Sequence, residues 1–245
     1  MGTVKSVSSA AVFALLLAVG VLPGAQAVND SVSLDAKQKS IIPIAAFTAD
    51  GNIEKLNIAL IGGLEAKLTV NEIKEILVHM YAYAGFPRSL NGILAFMRVL
   101  DERRAKGIVD EVGGNASPIP VNLNKDEYGA KVRASLAGLG RIPPPNAWQQ
   151  FSPVIDVFLK EHLFADIFAR DVLDFQSREL ATIAALANMN GTGGQLRFHL
   201  GSAMNTGLSE AQMKDFISVL KSEVGEQEAD AASEILTEVL SAQSK

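Results

Sequence analysis

RELATIAALANMNGTGGQLRFHLGSAMNTGLSEAQ, residues 178–212, is the stretch whose reading decides the fold. It opens with the charged pair Arg178 and Glu179 on an alanine-rich apolar run. A turn containing Gly191, Gly193 and Gly194 follows, and a second run carries Gln195, Arg197 and His199 beside Leu196, Leu200 and Ala203. Glycine is the usual exit from a helix, so the pattern is helix, turn, helix. Gly207 closes the second run. Ser209 and Gln212 have capping-box spacing, where each side chain satisfies the other residue's free backbone amide at a new helix start.

Moved back by 140 positions, the same grammar reappears without a gap, as a fixed-period self-match. Ala45 matches Ala185, Gly51 matches Gly191, Leu56 matches Leu196, Leu60 matches Leu200 and Leu68 matches Leu208. The Thr69/Glu72 box falls on Ser209/Gln212, Lys74 on Lys214, Gly85 on Gly225, and Val99-Leu100 on Val239-Leu240. Caps, breaks and core positions coincide. The chain is therefore expected to be all-α, a duplicated helical unit.

Within the first copy, helices are expected over 35–49 and 53–64, with a third carrying Ile73, Ile76, Leu77, Met80 and Tyr81 on one face. Pro43 speaks against the first half of the first helix. Gly85-Phe86-Pro87 is expected to stop the third, and a fourth over 89–104 to bury Leu90, Ile93, Leu94, Met97 and Leu100. From 107 to 150, glycine and proline clusters mark a surface connection with one short helix near 127–136, and 153–168 reads as a docking helix. The expected organisation is a signal peptide over 1–27, a first helical repeat over 28–106, a connecting segment over 107–150 and a second repeat over 151–245.

The composition, 48% hydrophobic and 20% charged with a net charge of −5, is that of a globular protein and not of a nucleic-acid binder, which needs a basic face. The chain has no cysteine. A disulfide, a thiolate nucleophile and a cysteine-bound metal are excluded. At the N-terminus Lys5 precedes an apolar stretch over 10–22 and an Ala25-Gln26-Ala27 cleavage pattern. The stretch is shorter than the roughly 20 residues a membrane span needs. Export to the periplasm or medium is expected, with the mature chain beginning at Val28 and no stable membrane anchor remaining after cleavage.

The copies differ in their polar groups. Glu179 stands opposite Lys39, Arg197 opposite Asn57, and His199 opposite Ala59, whereas His79, Tyr81, Tyr83, Phe86 and Arg88 face Val219, Lys221, Glu223, Glu226 and Glu228. Such complementary loss predicts a composite site with one wall from each copy.

RELATIAALA, QLRFHLGSAMNTGLS and EILVHMYAYAGFPRSLN resemble segments of the carboxymuconolactone decarboxylase family in its two-repeat form. The resemblance implies an all-helical fold of the alkylhydroperoxidase D-like type and oligomerisation. It also implies either lactone decarboxylation or, in the alkylhydroperoxidase D branch, hydroperoxide reduction. That branch uses a Cys-x-x-Cys pair followed four residues later by a histidine. On this pattern His199 takes the histidine position, while Thr192 and Gln195 stand where the cysteines would be. Neither residue supports thiol peroxidase chemistry.

His199 is either a core histidine satisfied by one hydrogen bond or an acid–base group, and the resemblance favours the second. Glu179 is either a helix-start residue or the partner that holds the His199 tautomer. Gln195, one turn earlier, is placed to orient a ligand or His199. Arg197 lies about 200° from His199 around the helix, which suits solvent or an interface better than substrate. Arg88 is a candidate clamp for a substrate carboxylate. Tyr83 and His79 are candidates to anchor or polarise the ligand. Glu75 and His79 alone have the spacing of surface support, and two ligands do not make a metal site.

The reaction expected of a catalytic chain is removal of a carboxylate from a small unsaturated lactone acid, without metal or cofactor. Its catalytic residues would be Glu179, His199 and His79, and its substrate-binding residues Gln195, Arg88, Tyr83 and Arg197. The expected partners are a small carboxylate or lactone ligand and further copies of the chain. The competing expectation is a non-catalytic small-molecule-binding or assembly protein on the same fold.

Overall fold

The computed structural model describes residues 33–243, all helices and connecting turns with no strand among them. The expected signal peptide lies outside the described residues. The first copy supplies α1 (Ala36–Asp50), α2 (Ile53–Glu65) and α3 (Val70–Ala105). The connection contains α4 (Lys125–Leu136), α5 (Ala147–Phe151) and α6 (Pro153–Val157), which runs into a π-helical stretch, Phe158–Ile167. The second copy supplies α7 (Phe175–Ala187), α8 (Gly193–Asn205), α9 (Glu210–Val219) and α10 (Glu226–Gln243).

Local sequence sets the helix starts. Thr69 accepts from the Glu72 amide while the Glu72 carboxylate accepts from the Thr69 amide, and Ser209 and Gln212 repeat the arrangement. Gly51 and Gly191 both adopt the left-handed conformation, with φ of 78° and 80°, which L side chains resist. At this pair the 140-residue offset holds in backbone conformation as well as in residue type, whereas Gly85 (φ 81°) and Gly225 (φ 174°) differ. Pro43 sits inside α1 without ending it.

At the centre α1 packs against α7. Every residue over 41–49 of α1 and over 178–186 of α7 is buried, as expected of helices surrounded on all sides. One apolar core runs through both copies. A smaller cluster joins Val132 and Leu136 of α4 to Leu163, Phe164, Ile167 and Phe168.

As expected, the helix that starts at Val70 stops at Gly85, whose backbone is not helical (φ 81°, ψ 166°), so that α3 is two helices joined across a kink, the second running on to Ala105. Two expectations, about the buried face of α3 and about the connection, are corrected. In the second half of α3 Gly92, Ala95, Phe96 and Val99 face the core, while Leu90, Leu94 and Met97 are more than half exposed. The connection is not a surface strap. α4 lies so close to the π-helical stretch that a Cβ on Gly129 would fall 1.8 Å from the Lys160 carbonyl oxygen. Together these segments roof a cavity.

Candidate active site

The cavity has a volume of about 760 Å3. Its walls come from Ala82 and Tyr83 of α3, Ala134 of α4, Leu159, Leu163 and Phe164 of the π-helical stretch, and Gln195, Phe198 and His199 of α8. Both copies and the connection contribute to it within one chain.

His199 is nearly buried, and its Nδ1 lies 2.8 Å from Glu179 Oε2. The Glu179 carboxylate is fully buried on α7, and its other oxygen has no partner. An ionised carboxylate only accepts, so Nδ1 carries the proton and Nε2 presents its lone pair. Nε2 makes no bond among the described residues and is open to the cavity that His199 lines. Gln195, one turn earlier, lines the same cavity. Thr192 does not contribute a free hydroxyl, since its single proton is shared between the carbonyls of Leu186 and Met189 at the end of α7.

Tyr83 places its ring against His199, with centroids 5.6 Å apart, but its hydroxyl is buried with no partner. Burial, with the Glu179 charge beside it, pushes the phenol well above its ordinary range. Tyr83 lines the cavity, as expected of a residue placed near the ligand, with its hydroxyl buried.

His79 is fully buried and does not line the cavity. Its Nε2 lies 2.8 Å from Thr182 Oγ1, whose single proton goes to the Arg178 carbonyl, so Nε2 donates. Nδ1 then faces Arg178 Nη1 at 3.4 Å as an acceptor. Burial, followed by the neighbouring charge of Arg178, lowers its pKa well below the ordinary histidine value. Both ring nitrogens of His79 are thus engaged inside the protein, and the ring does not line the cavity.

Behind it lies a buried ion cluster. Arg178 Nη2 donates to Glu75 Oε1 at 2.8 Å and to the Arg170 carbonyl at 2.6 Å, and Arg170 Nε donates to both Glu75 oxygens at 3.0 Å. Glu75 and His79 are thus interior residues, contrary to the surface role their spacing suggests. Arg88 and Arg197 fall outside the cavity. Arg88 is exposed and lies against Gly51, and Arg197 pairs with Glu238 on the surface.

The same offset locates a second cavity of about 720 Å3, lined by Lys39, Lys55, Ile58, Ala59 and Glu223 among others. These are the counterparts of Glu179, Gln195, Phe198, His199 and Tyr83. The duplication preserves the hollow, but the carboxylate–imidazole pair is present in only one copy.

Comparison with protein families matches residues 24–97 and 157–238 to the carboxymuconolactone decarboxylase family. The chain belongs to that family. The matched segments include α1, α2, Glu75, His79 and Tyr83 on one side and α7, α8, Glu179 and His199 on the other. The family's match therefore covers both halves of the buried polar cluster, while α4 and α5, which roof the cavity, lie outside it. No curated protein matches the chain.

Proposed function

We propose that the chain is a carboxymuconolactone decarboxylase-like enzyme whose chemistry is proton transfer by His199 to a small molecule in the α3/α8 cavity. The observation that carries this reading is the 2.8 Å bond from His199 Nδ1 to a buried Glu179, with the other ring nitrogen left facing an apolar hollow. Glu179 holds the tautomer and stabilises the imidazolium when Nε2 takes up a proton.

On an unsaturated lactone acid the balance is simple. The bond between the carboxylate carbon and the ring carbon breaks, and its electron pair spreads into the unsaturated lactone as CO2 leaves. His199, protonated beforehand at Nε2, gives that proton to the carbon. Gln195 donates from its amide to the lactone oxygen as charge builds there, and the apolar walls keep the departing carboxylate poorly hydrated. The scheme uses no cofactor. We further propose export, on the N-terminal charge, apolar and Ala-x-Ala pattern, and homo-oligomerisation, on the exposed apolar stripe of α3.

The test is CO2 release from carboxymuconolactone and related lactone acids by the wild type and by His199→Gln. A loss of at least about a hundredfold, with the circular dichroism spectrum unchanged, is the expected result. Equal turnover would remove His199 from the mechanism. Ligand binding without turnover in the wild type would leave the chain a binding protein on this fold.

A further inference from the structure

Arg133 is the only permanently charged side chain among the described residues that line the cavity, and no acidic side chain lines it. It comes from α4, in the connection between the copies, so neither the duplication nor the family match extends to it. Its position is fixed from two sides. Gly129, one turn earlier on the same face of α4, lets the helix lie against the Lys160 carbonyl, where a Cβ would fall 1.8 Å from the oxygen. At the tip of the side chain, Arg133 Nη1 donates to Asp156 Oδ1.

That bond uses one nitrogen of the guanidinium. Nε and Nη2 have no bond among the described residues and are not sealed from solvent, 18% of the side chain being exposed. Their N–H groups run parallel along one side of the planar group, the geometry that takes both oxygens of a carboxylate. Asp156 does not compete for them. It is buried, and its oxygens are already met by Nη1, by Gln149 Nε2 at 2.8 Å and by Lys160 at 3.5 Å. The pair with Asp156 therefore holds the guanidinium in place and leaves one edge of it for a ligand. The cavity also has neutral donors, namely the Trp148 indole, the Asn146 amide and the start of α8, which has no side-chain cap. Any of these serves a carbonyl oxygen. Only Arg133 brings a permanent positive charge to the wall, and a carboxylate taken from water needs such a partner.

We infer that Arg133 is a substrate-binding residue, gripping through its Nε–Nη2 edge a carboxylate that stays on the substrate through the reaction. The inference rests on the reading that this cavity is the reacting site. A carboxylate that leaves as CO2 loses its charge on the way to the transition state, so a guanidinium on it would favour the ground state and slow the reaction. A carboxylate that stays keeps its charge, and holding it fixes the lactone without altering the barrier. Carboxymuconolactone has one of each. Arg133 tells the two apart and sets which of them faces the apolar wall.

Trp148 is the chain's only tryptophan and lines the cavity, so quenching of its fluorescence reports occupancy. The probes are a butenolide acetate, which keeps only the carboxylate that stays, and its methyl ester. The wild type is expected to bind the acid at least about tenfold more tightly than the ester. Arg133→Lys keeps a cation beside Asp156 but has no planar edge, and Arg133→Gln has neither charge nor edge. Both are expected to lose most of the acid's advantage, while ester affinity and the circular dichroism spectrum stay as in the wild type. On carboxymuconolactone, Arg133→Lys should raise KM at least about tenfold and leave kcat within about twofold. Equal affinity for acid and ester in the wild type, an equal loss of both in the variants, or a higher kcat in Arg133→Lys overturns the inference. His199→Gln separates the two readings, since it removes turnover and is expected to keep the preference for the acid. That preference in a wild type without turnover would overturn the enzyme reading and leave Arg133 as the carboxylate grip.

Discussion

Arg178 and Glu75 stand 103 residues apart, one in each copy of the duplicated unit, and meet at 2.8 Å with both side chains buried. Arg170 from the segment before α7 joins the same carboxylate. The cluster ties α3 to α7 beside His79.

Removing one member leaves a buried charge unanswered. Arg178→Met is expected to lower stability by about 3–5 kcal/mol in urea unfolding. The double variant Glu75→Gln/Arg178→Met should lose less than the sum of the two single variants, because neither charge is then stranded. Strict additivity would show that the pair does not couple the copies.

The Tyr83 hydroxyl is buried without a partner, and an unpaired polar group in the interior is a cost. Tyr83→Phe keeps the ring against His79 and His199 and is expected to leave stability unchanged or raise it by about 1 kcal/mol. Turnover should change by less than about tenfold, since the hydroxyl does not reach the cavity. A drop in melting temperature would mean that the oxygen has a structural partner.

His79 is held neutral, below the ordinary value of about 6.5 that it regains on unfolding. As pH falls below 6.5 the unfolded chain binds a proton at this position that the folded chain does not, so stability falls. The slope approaches about 1.4 kcal/mol per pH unit and persists down to the lowered folded-state value. At higher pH both states are neutral there and the contribution is flat. Chemical denaturation of wild type and His79→Asn across mildly acidic pH checks this, the expectation being a shallower slope in the variant.

Phe86, Leu90, Leu94 and Met97 form a stripe along the second half of α3, and each is more than half exposed. A contiguous apolar stripe of this kind is characteristic of an interface. Light scattering should find the wild type oligomeric, and Leu90→Glu/Leu94→Glu should shift it to monomer without loss of helix content. A monomeric wild type would end the oligomer proposal.

Much of the fold is legible without coordinates because its signals are local. Helix starts at Thr69 and Ser209 follow from a hydroxyl and an amide or carboxyl three residues on. The left-handed exits at Gly51 and Gly191 follow from the missing Cβ. Periodicity marks which runs are helical but not which apolar face is covered, and so it places Leu90, Leu94 and Met97 in a core that the tertiary structure does not give them. Glu179 and His199 were legible as a candidate pair because complementary loss between the copies singled them out.

By itself, the sequence determined a duplicated, cysteine-free helical chain and the residue types available for proton transfer, since these depend on composition and on contacts within a few positions. Tertiary structure alone decided that His79 is fully buried with both ring nitrogens engaged, that Arg178 and Glu75 are a buried pair, that Arg88 and Arg197 stand apart from the cavity, and that the connection roofs it. The physical reason is that burial and pairing across 95 or 103 residues depend on how helices stack, and no spacing along the chain encodes the dielectric a side chain will meet.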